Sequence, residues 1–218
     1  MHKTNFVQRL WKINPTIRIY DLDGTIIDSS HRRAVKPNGE IDLDKWRETN
    51  TKDYIFKDTL LPMYWQLVND YKNGDIIVIC TARELNKWDY RFIHSMGIYY
   101  DYIISRPVGS TTVDDVLKWQ QCRHFFNLKQ FKKLKKIIYD DNTKTLTRFF
   151  SKGCDIVNAR EWNSSFSWLK NKCTFLHLPL DIMSEMLKIY LYSSFGYYVR
   201  KGDIEEKDFR GFFQKREK

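Results

Sequence analysis

The stretch IRIYDLDGTIIDSS, residues 17–30, decides the fold of this chain. Its first four residues are typical of the end of a strand, and two aspartates, Asp21 and Asp23, follow directly. Gly24 and Thr25 come next. Carboxylates this close repel each other, and a buried carboxylate is costly without a partner. The stretch therefore predicts a strand whose end needs a compensating charge.

The composition is that of a folded protein with a sizeable core. Of 218 residues, 42% are hydrophobic, which allows one domain with an appendage. No run of about 18 apolar residues occurs, and the N-terminal stretch lacks an apolar core, so neither a membrane span nor a signal peptide is predicted. The cysteines are far apart in sequence, which favours reduced thiols in a cytoplasmic protein: Cys80, Cys122, Cys154 and Cys173.

The net charge of +10 favours anionic partners. Much of the excess lies in residues 121–148, where lysines and arginines greatly outnumber aspartates. Two interpretations of this segment stay open. It is either a solvated helix face or a contact surface for nucleic acid.

Strand-like apolar runs alternate with helical patterns along most of the chain. The strands are predicted at residues 16–21, 75–81, 100–105, 135–141 and 154–159, and the helices at 59–72, 84–96, 113–127 and 143–151. Alternation of this kind predicts an α/β fold with a central parallel sheet. In such sheets, ligands bind beyond the carboxyl ends of the strands.

Two segments depart from the alternation. Residues 28–58 are polar and contain one short amphipathic piece, which indicates a small cap or loop inserted after the first strand. Residues 161–218 contain a helical apolar pattern followed by a charged tail. We therefore predict a core over 1–160 and a C-terminal helical extension over 161–218, the segment through which a homo-oligomer would form.

Acidic and polar side chains follow three of the predicted strands. They are Asp21 and Asp23, then Thr81 and Arg83, then Asp140 and Asp141. If these strands are neighbours, four carboxylates converge on one edge of the sheet. Hard oxygen ligands of this kind suit Mg²⁺, which also binds substrate phosphate.

The sequence resembles the haloacid dehalogenase (HAD) superfamily of phosphotransferases. DLDGT (21–25) is similar to its first motif, VICT (78–81) to its second and YDD (139–141) to its fourth. Lys118 is the candidate for the third motif, with Lys135 or Lys136 as alternatives. TAR (81–83) and RPVGSTTVDDVLK (106–118) are most similar to the 3′-phosphatase domain of phage polynucleotide kinase/phosphatase. The resemblance covers residues 16–160 and implies a Rossmann-like core.

The resemblance also implies roles for individual residues. Asp21 would be the nucleophile that forms an aspartyl-phosphate, and Asp23 the general acid and base. Thr81 and Lys118 would hold the phosphoryl oxygens. The implied ligands of Mg²⁺ are Asp21, Asp23, Asp140 and Asp141.

Four further residues are predicted to bind substrate or to shape the site. Gly24 allows a sharp turn of the backbone, and Thr25 would hold that turn together. Arg83 and Arg106 are candidates for contact with substrate phosphate or leaving group. The alternative for both arginines is a structural ion pair.

The implied activity is that of a phosphatase, a hydrolase of phosphoric monoesters. The small insertion leaves an open site, which together with the positive charge favours DNA or RNA 3′-phosphate ends, or nucleotides, as substrate. A 5′-nucleotidase or another small-metabolite phosphatase is the alternative, and a binding or scaffold protein on this core is a third. No GxxxxGK[ST] loop occurs, so a kinase half is not predicted.

Overall fold

The structure, a computed structural model, describes residues 12–33 and 42–165. Its strands are β1 (Ile17–Tyr20), β2 (Ile27–Asp28), β3 (Thr59–Leu60), β4 (Ile76–Cys80), β5 (Tyr102–Ile104), β6 (Lys136–Asp140) and β7 (Asp155–Asn158). Its helices are α1 (Leu43–Glu48), α2 (Lys52–Ile55), α3 (Met63–Lys72), α4 (Lys87–Ser95), α5 (Asp114–Phe126), α6 (Thr143–Phe150) and α7 (Ala159–Ser165).

Five of the strands form one parallel sheet in the order β5-β4-β1-β6-β7. Strand β1 lies in the middle, and Tyr20 at its end is level with Ile79 of β4 and Tyr139 of β6. The predicted α/β fold with a central parallel sheet is confirmed. Every residue of β4 is buried, as its unbroken apolar run predicts for a strand covered on both faces.

The helix predicted over residues 59–72 begins later than expected. Thr59–Leu60 is a short strand that pairs antiparallel with Ile27–Asp28, and helix α3 begins at Met63. The pairing brings together the two ends of the predicted insertion. Local apolar spacing cannot reveal this, because the partner strand lies about thirty residues earlier in the chain.

The insertion contributes two short helices, α1 and α2, while its residues 34–41 lie outside the described part. Most of the predicted extension, residues 166–218, also lies outside it, so the C-terminal helical region and its role in oligomerisation stay predictions. The predicted boundary after residue 160 falls inside α7. No helix in the described ranges has both the length and the apolar character that a membrane crossing needs.

Candidate active site

The carboxyl ends of β1, β4 and β6 open into a cavity of about 270 Å³. Because the three strands are adjacent and parallel, the residues that follow them reach the same edge of the sheet. The predicted site residues that line the cavity are Asp21, Asp23, Gly24, Thr81, Arg83, Lys118 and Asp141. The structure thus brings most of the predicted site together in one place.

Asp21 and Asp140 share the ammonium group of Lys118 at the floor of the site. Nζ of Lys118 lies 2.9 Å from Oδ1 of Asp21 and 2.7 Å from Oδ2 of Asp140, and all three side chains are buried. The predicted alternatives for this lysine lie elsewhere: Lys136 donates to backbone carbonyls of the segment that leads into β6, and Lys135 pairs with Asp155. The lysine on α5 therefore holds the position expected of the third motif.

Asp21, Asp140 and Asp141 form a group of carboxylates suited to a divalent cation. One oxygen from each lies within 4.8 Å of the other two. Burial raises the pKa of Asp21 well above its ordinary value; the Lys118 charge opposes this shift, and the Asp140 charge adds to it. Burial alone would lower the pKa of Lys118, but the carboxylates outweigh it and raise that pKa. The three carboxylates can carry more negative charge than Lys118 neutralises, and their hard oxygen donors fit Mg²⁺.

Asp23 is not part of this carboxylate group, and its role as a metal ligand stays a prediction. Its carboxylate accepts hydrogen bonds from Nε of Arg83 at 3.0 Å, from Nη2 of Arg83 and from the hydroxyl of Ser29 at 2.5 Å. Burial alone would raise the pKa of Asp23, but the charge and hydrogen bonds of Arg83 hold it below its usual value. Leu22, which lies between the two aspartates in the chain, is buried. The aspartates on either side of it contact different cations, Lys118 and Arg83.

Arg83 connects Asp23 with the insertion. Besides Asp23, its guanidinium contacts Asp89 at 2.7 Å and Asp58 at 3.2 Å. Asp58 in turn accepts two hydrogen bonds from Arg32, at 2.9 and 2.7 Å. Arg83 therefore lines the cavity and is also the ion-pair partner that the alternative interpretation predicted.

Gly24 makes room for Asp141. It has a φ of +75°, and a Cβ built on it would lie 2.7 Å from Oδ2 of Asp141. The hydroxyl of Thr25 is buried, points to no hydrogen-bond partner among the described residues and does not line the cavity. The backbone N–H of Thr25 donates to the carbonyl of Leu22 at 3.2 Å within the turn, and Asn163 supports the turn from outside, since its Nδ2 donates to the carbonyl of Thr25 at 2.9 Å. Thr25 therefore takes part in the turn through its backbone, and a role for its hydroxyl stays a prediction.

Arg106 does not face the cavity, so its prediction as a substrate-binding residue is corrected. Its guanidinium donates to the carbonyl of Ala82 at 2.6 Å, to that of Thr112 at 2.7 Å and to Oδ1 of Asp114 at 2.6 Å. It also donates to the carbonyl of Ser110 at 3.0 Å. These contacts hold the loop that leads into α5 in position, and the Arg106 side chain is only 1% exposed.

Several cavity residues were not predicted from the sequence. Ser30 and Trp46 come from the insertion, and Arg160 comes from α7. Trp46 lies against Arg32, whose Cζ is 4.5 Å from the ring centroid. Arg160 reaches Oδ2 of Asp141 at 3.4 Å. For the two insertion residues the only sequence signal was the position of the insertion directly after the first motif, and for Arg160 there was none.

Comparisons with known proteins agree with this geometry. A family model described as bacteriophage T5 5′-deoxynucleotidase matches residues 1–177. The 5′-deoxynucleotidase of Escherichia phage T5 is 40% identical over 102 residues, which cover 44% of this chain and 41% of that protein. The alignment therefore spans less than half of that relative.

Solved structures show the fold. A haloacid dehalogenase-like hydrolase from Streptococcus pneumoniae is 14% identical, with a TM-score of 0.50 over 65% of this chain and 83% of that one. A protein from Clostridium difficile is 19% identical, with a TM-score of 0.50 over 66% and 85% of the two chains. The core of this chain has the haloacid dehalogenase fold that the motifs predicted.

Proposed function

The chain belongs to the bacteriophage T5 5′-deoxynucleotidase family, and from this premise we propose that it removes the 5′-phosphate of deoxynucleoside monophosphates with the help of Mg²⁺. The observation that carries the proposal is the position of Lys118 between Asp21 and Asp140. An ammonium group held there by two buried carboxylates is aimed at the cavity, where it can bind a phosphoryl oxygen.

Asp21 is the proposed nucleophile. Its carboxylate attacks phosphorus, the bond from phosphorus to the nucleoside 5′-oxygen breaks, and an aspartyl-phosphate forms that water then hydrolyses. Thr81 and Lys118 orient the phosphoryl oxygens. Asp21, Asp140 and Asp141 would hold Mg²⁺, which supplies positive charge to the phosphoryl group and favours the ionised form of these carboxyls.

Asp23 is the proposed proton carrier. In the free protein Arg83 keeps it ionised, the form needed to activate water in the second step. A phosphate dianion in the cavity raises the pKa of a neighbouring carboxyl, which prepares Asp23 to donate a proton to the leaving 5′-oxygen. Arg83 and Ser29 hold the carboxylate in place for both steps.

The cavity supports a small nucleotide as the substrate. Its volume of about 270 Å³ is near the lower end of ligand pockets, which run from roughly 300 to 1,000 Å³. Trp46 and Arg33 of the insertion line it and are proposed to contact the nucleoside. The nucleic-acid 3′-end is the less favoured substrate, since five of the eight basic residues in 121–148 that supported it lie within residues 129–136, where the chain enters β6 at the opposite edge of the sheet.

Phosphate release tests the proposal. The full chain with Mg²⁺ is expected to release phosphate from deoxynucleoside 5′-monophosphates faster than from a 3′-phosphorylated oligonucleotide, and to lose activity in EDTA. Asp21→Asn should abolish turnover while leaving the fold intact by circular dichroism. Retained turnover in this variant contradicts Asp21 as nucleophile. A preference for the oligonucleotide contradicts the proposed substrate.

A further inference from the structure

A basic and aromatic surface lies outside the cavity, on the helices α2 and α4. We call it the α2–α4 face, and it consists of Lys52, Tyr54, Phe56, Lys57, Lys87, Trp88 and Arg91. The two helices pack together through Phe56 and Phe92, whose ring centroids lie 5.9 Å apart, edge to face. The face is therefore one continuous surface contributed by the insertion and by the helix after β4.

Cations on the α2–α4 face surround aromatic rings. Nζ of Lys52 lies 5.6 Å from the Trp88 ring centroid, Nζ of Lys87 lies 5.0 Å from it, and Cζ of Arg91 lies 4.8 Å from it. Three positive charges thus share one indole ring. Each contact is individually weak at an exposed site, of the order of 0.5–1 kcal/mol.

The acidic partners of these cations are missing from the described residues. Lys52, Lys57, Lys87 and Arg91 are exposed, and none of them makes an ion pair within residues 12–33 and 42–165. Asp89 on α4 is buried and engaged with Arg83. The exposed Asp53 on α2 makes no ion pair with these cations within the described ranges. The three cations around Trp88 repel each other, and an anion with several charges would relieve the repulsion.

Exposed aromatic side chains on the same face indicate which class of polyanion this face would bind. Tyr54 is 40% exposed and Phe56 is 44% exposed, although large apolar side chains usually bury more of their surface. Single-stranded nucleic acid offers what both groups bind: phosphates for the cations and free base faces for the rings. A duplex hides its base faces, and a single nucleotide carries too few phosphates for four cations.

We propose that the α2–α4 face binds single-stranded nucleic acid. Helix α4 starts seven residues after β4 ends, so the face lies toward the carboxyl-end edge of the sheet, as the cavity does. Side chains also tie the start of α2 to the start of α4, since Nδ2 of Asn86 donates to the carbonyl of Asn50 at 2.8 Å and Nδ2 of Asn50 donates to the carbonyl of Glu84 at 3.0 Å. The binding is separate from phosphate hydrolysis and does not depend on the proposed activity.

Fluorescence anisotropy with a labelled oligothymidylate that has no terminal phosphate tests this proposal on the full chain. The triple variant Lys52→Gln, Lys87→Gln, Arg91→Gln should bind at least ten-fold more weakly. The slope of log K against log salt should fall by about 2, since each phosphate contact to a single strand contributes roughly 0.7. Phosphate release from a deoxynucleoside 5′-monophosphate should not change, because none of the three residues lines the cavity.

A matched control removes three charges from the opposite edge of the sheet. The variant Lys129→Gln, Lys132→Gln, Lys133→Gln has the same net charge as the α2–α4 variant, and its residues are equally exposed. It should change the affinity for the oligonucleotide less than two-fold. Equal losses in the two triple variants, or no binding by the wild-type chain, would overturn the proposal.

Tyr54→Leu provides an independent test that keeps all charges. Loss of one stacked base is worth about 1–3 kcal/mol, so affinity should fall at least about five-fold while the salt slope stays the same. If affinity is unchanged, base stacking is refuted.

Vesicles containing phosphatidylserine serve as the second probe. If the α2–α4 variant loses binding to these vesicles but keeps its binding to the oligonucleotide, the face binds membranes and the proposal is overturned.

Discussion

Replacing Lys118 by methionine should destabilise the metal-free protein strongly. The ammonium group contacts Asp21 at 2.9 Å and Asp140 at 2.7 Å, and Asp141 lies in the same carboxylate group. Methionine fills most of the space but removes the charge, so two buried carboxylates lose their cation. Removing one partner of a buried ion pair costs about 3–5 kcal/mol, because the remaining charge is left without compensation.

The loss should depend on pH with a definite sign. Asp21 and Asp140 both have folded-state pKa values above their ordinary ones, and the substitution raises these values further. Below the unfolded-state pKa, about 3.9, the carboxyls are neutral in both states and cost nothing. The deficit relative to wild type develops as pH rises through the folded-state pKa values, so it should be small near pH 4 and larger at pH 8.

Urea denaturation in EDTA at several pH values measures this deficit, and Lys152→Met is the matched control. Lys152 is exposed, and its replacement should change the free energy of unfolding by no more than about 0.5 kcal/mol. Mg²⁺ should restore part of the loss in the Lys118 variant, by about 2.7 kcal/mol at one hundred times its Kd. Equal stability of variant and wild type at pH 8 without metal, or a deficit that grows as pH falls, would refute the reasoning.

Three further substitutions probe other parts of the site. Gly24→Ala places a Cβ 2.7 Å from Oδ2 of Asp141 at a positive φ, so backbone strain alone should lower the free energy of unfolding by about 1–2 kcal/mol. Because the Cβ also displaces Asp141, a Mg²⁺ titration should show a higher Mg²⁺ concentration for half-maximal activity. Arg83→Gln removes the charge that lowers the pKa of Asp23, so the acid limb of the kcat–pH profile should move to higher pH; an unmoved limb contradicts this role. Trp46→Ala should raise the KM for a deoxynucleoside monophosphate at least about five-fold and change kcat little in steady-state assays, whereas a fall in kcat alone would exclude a nucleoside contact.

The positions of the strands along the chain could be predicted from the sequence because they depend on local patterns. An unbroken apolar run such as residues 76–80 is typical of a strand buried on both faces, and DLDGT marks the end of another. Parallel strands present their carboxyl ends at one edge, so the convergence of Asp21, Thr81 and Asp140 follows from topology. The boundaries of α3 and α4 were less accurate, since capping and a distant strand partner set them.

Side-chain direction in the loops beyond the strands was decided by tertiary contacts. Asp21 and Asp23 are two residues apart, yet one faces Lys118 and the other faces Arg83. Arg106 has the residue type of a phosphate ligand, but nearby carbonyls and Asp114 take up its donors. Such choices depend on which partner lies within reach, and that is known only when distant segments are folded together.

The sequence by itself determined which residues carry the chemistry and at which edge of the sheet they meet, because strand pattern and motif spacing are properties of neighbouring residues. Only the tertiary structure decided which carboxylates share a cation, that Asn163 supports the first-motif turn, and that Trp46 and Arg160 line the cavity. These contacts join residues that are far apart in the chain, and no local pattern of side chains encodes the distance between them.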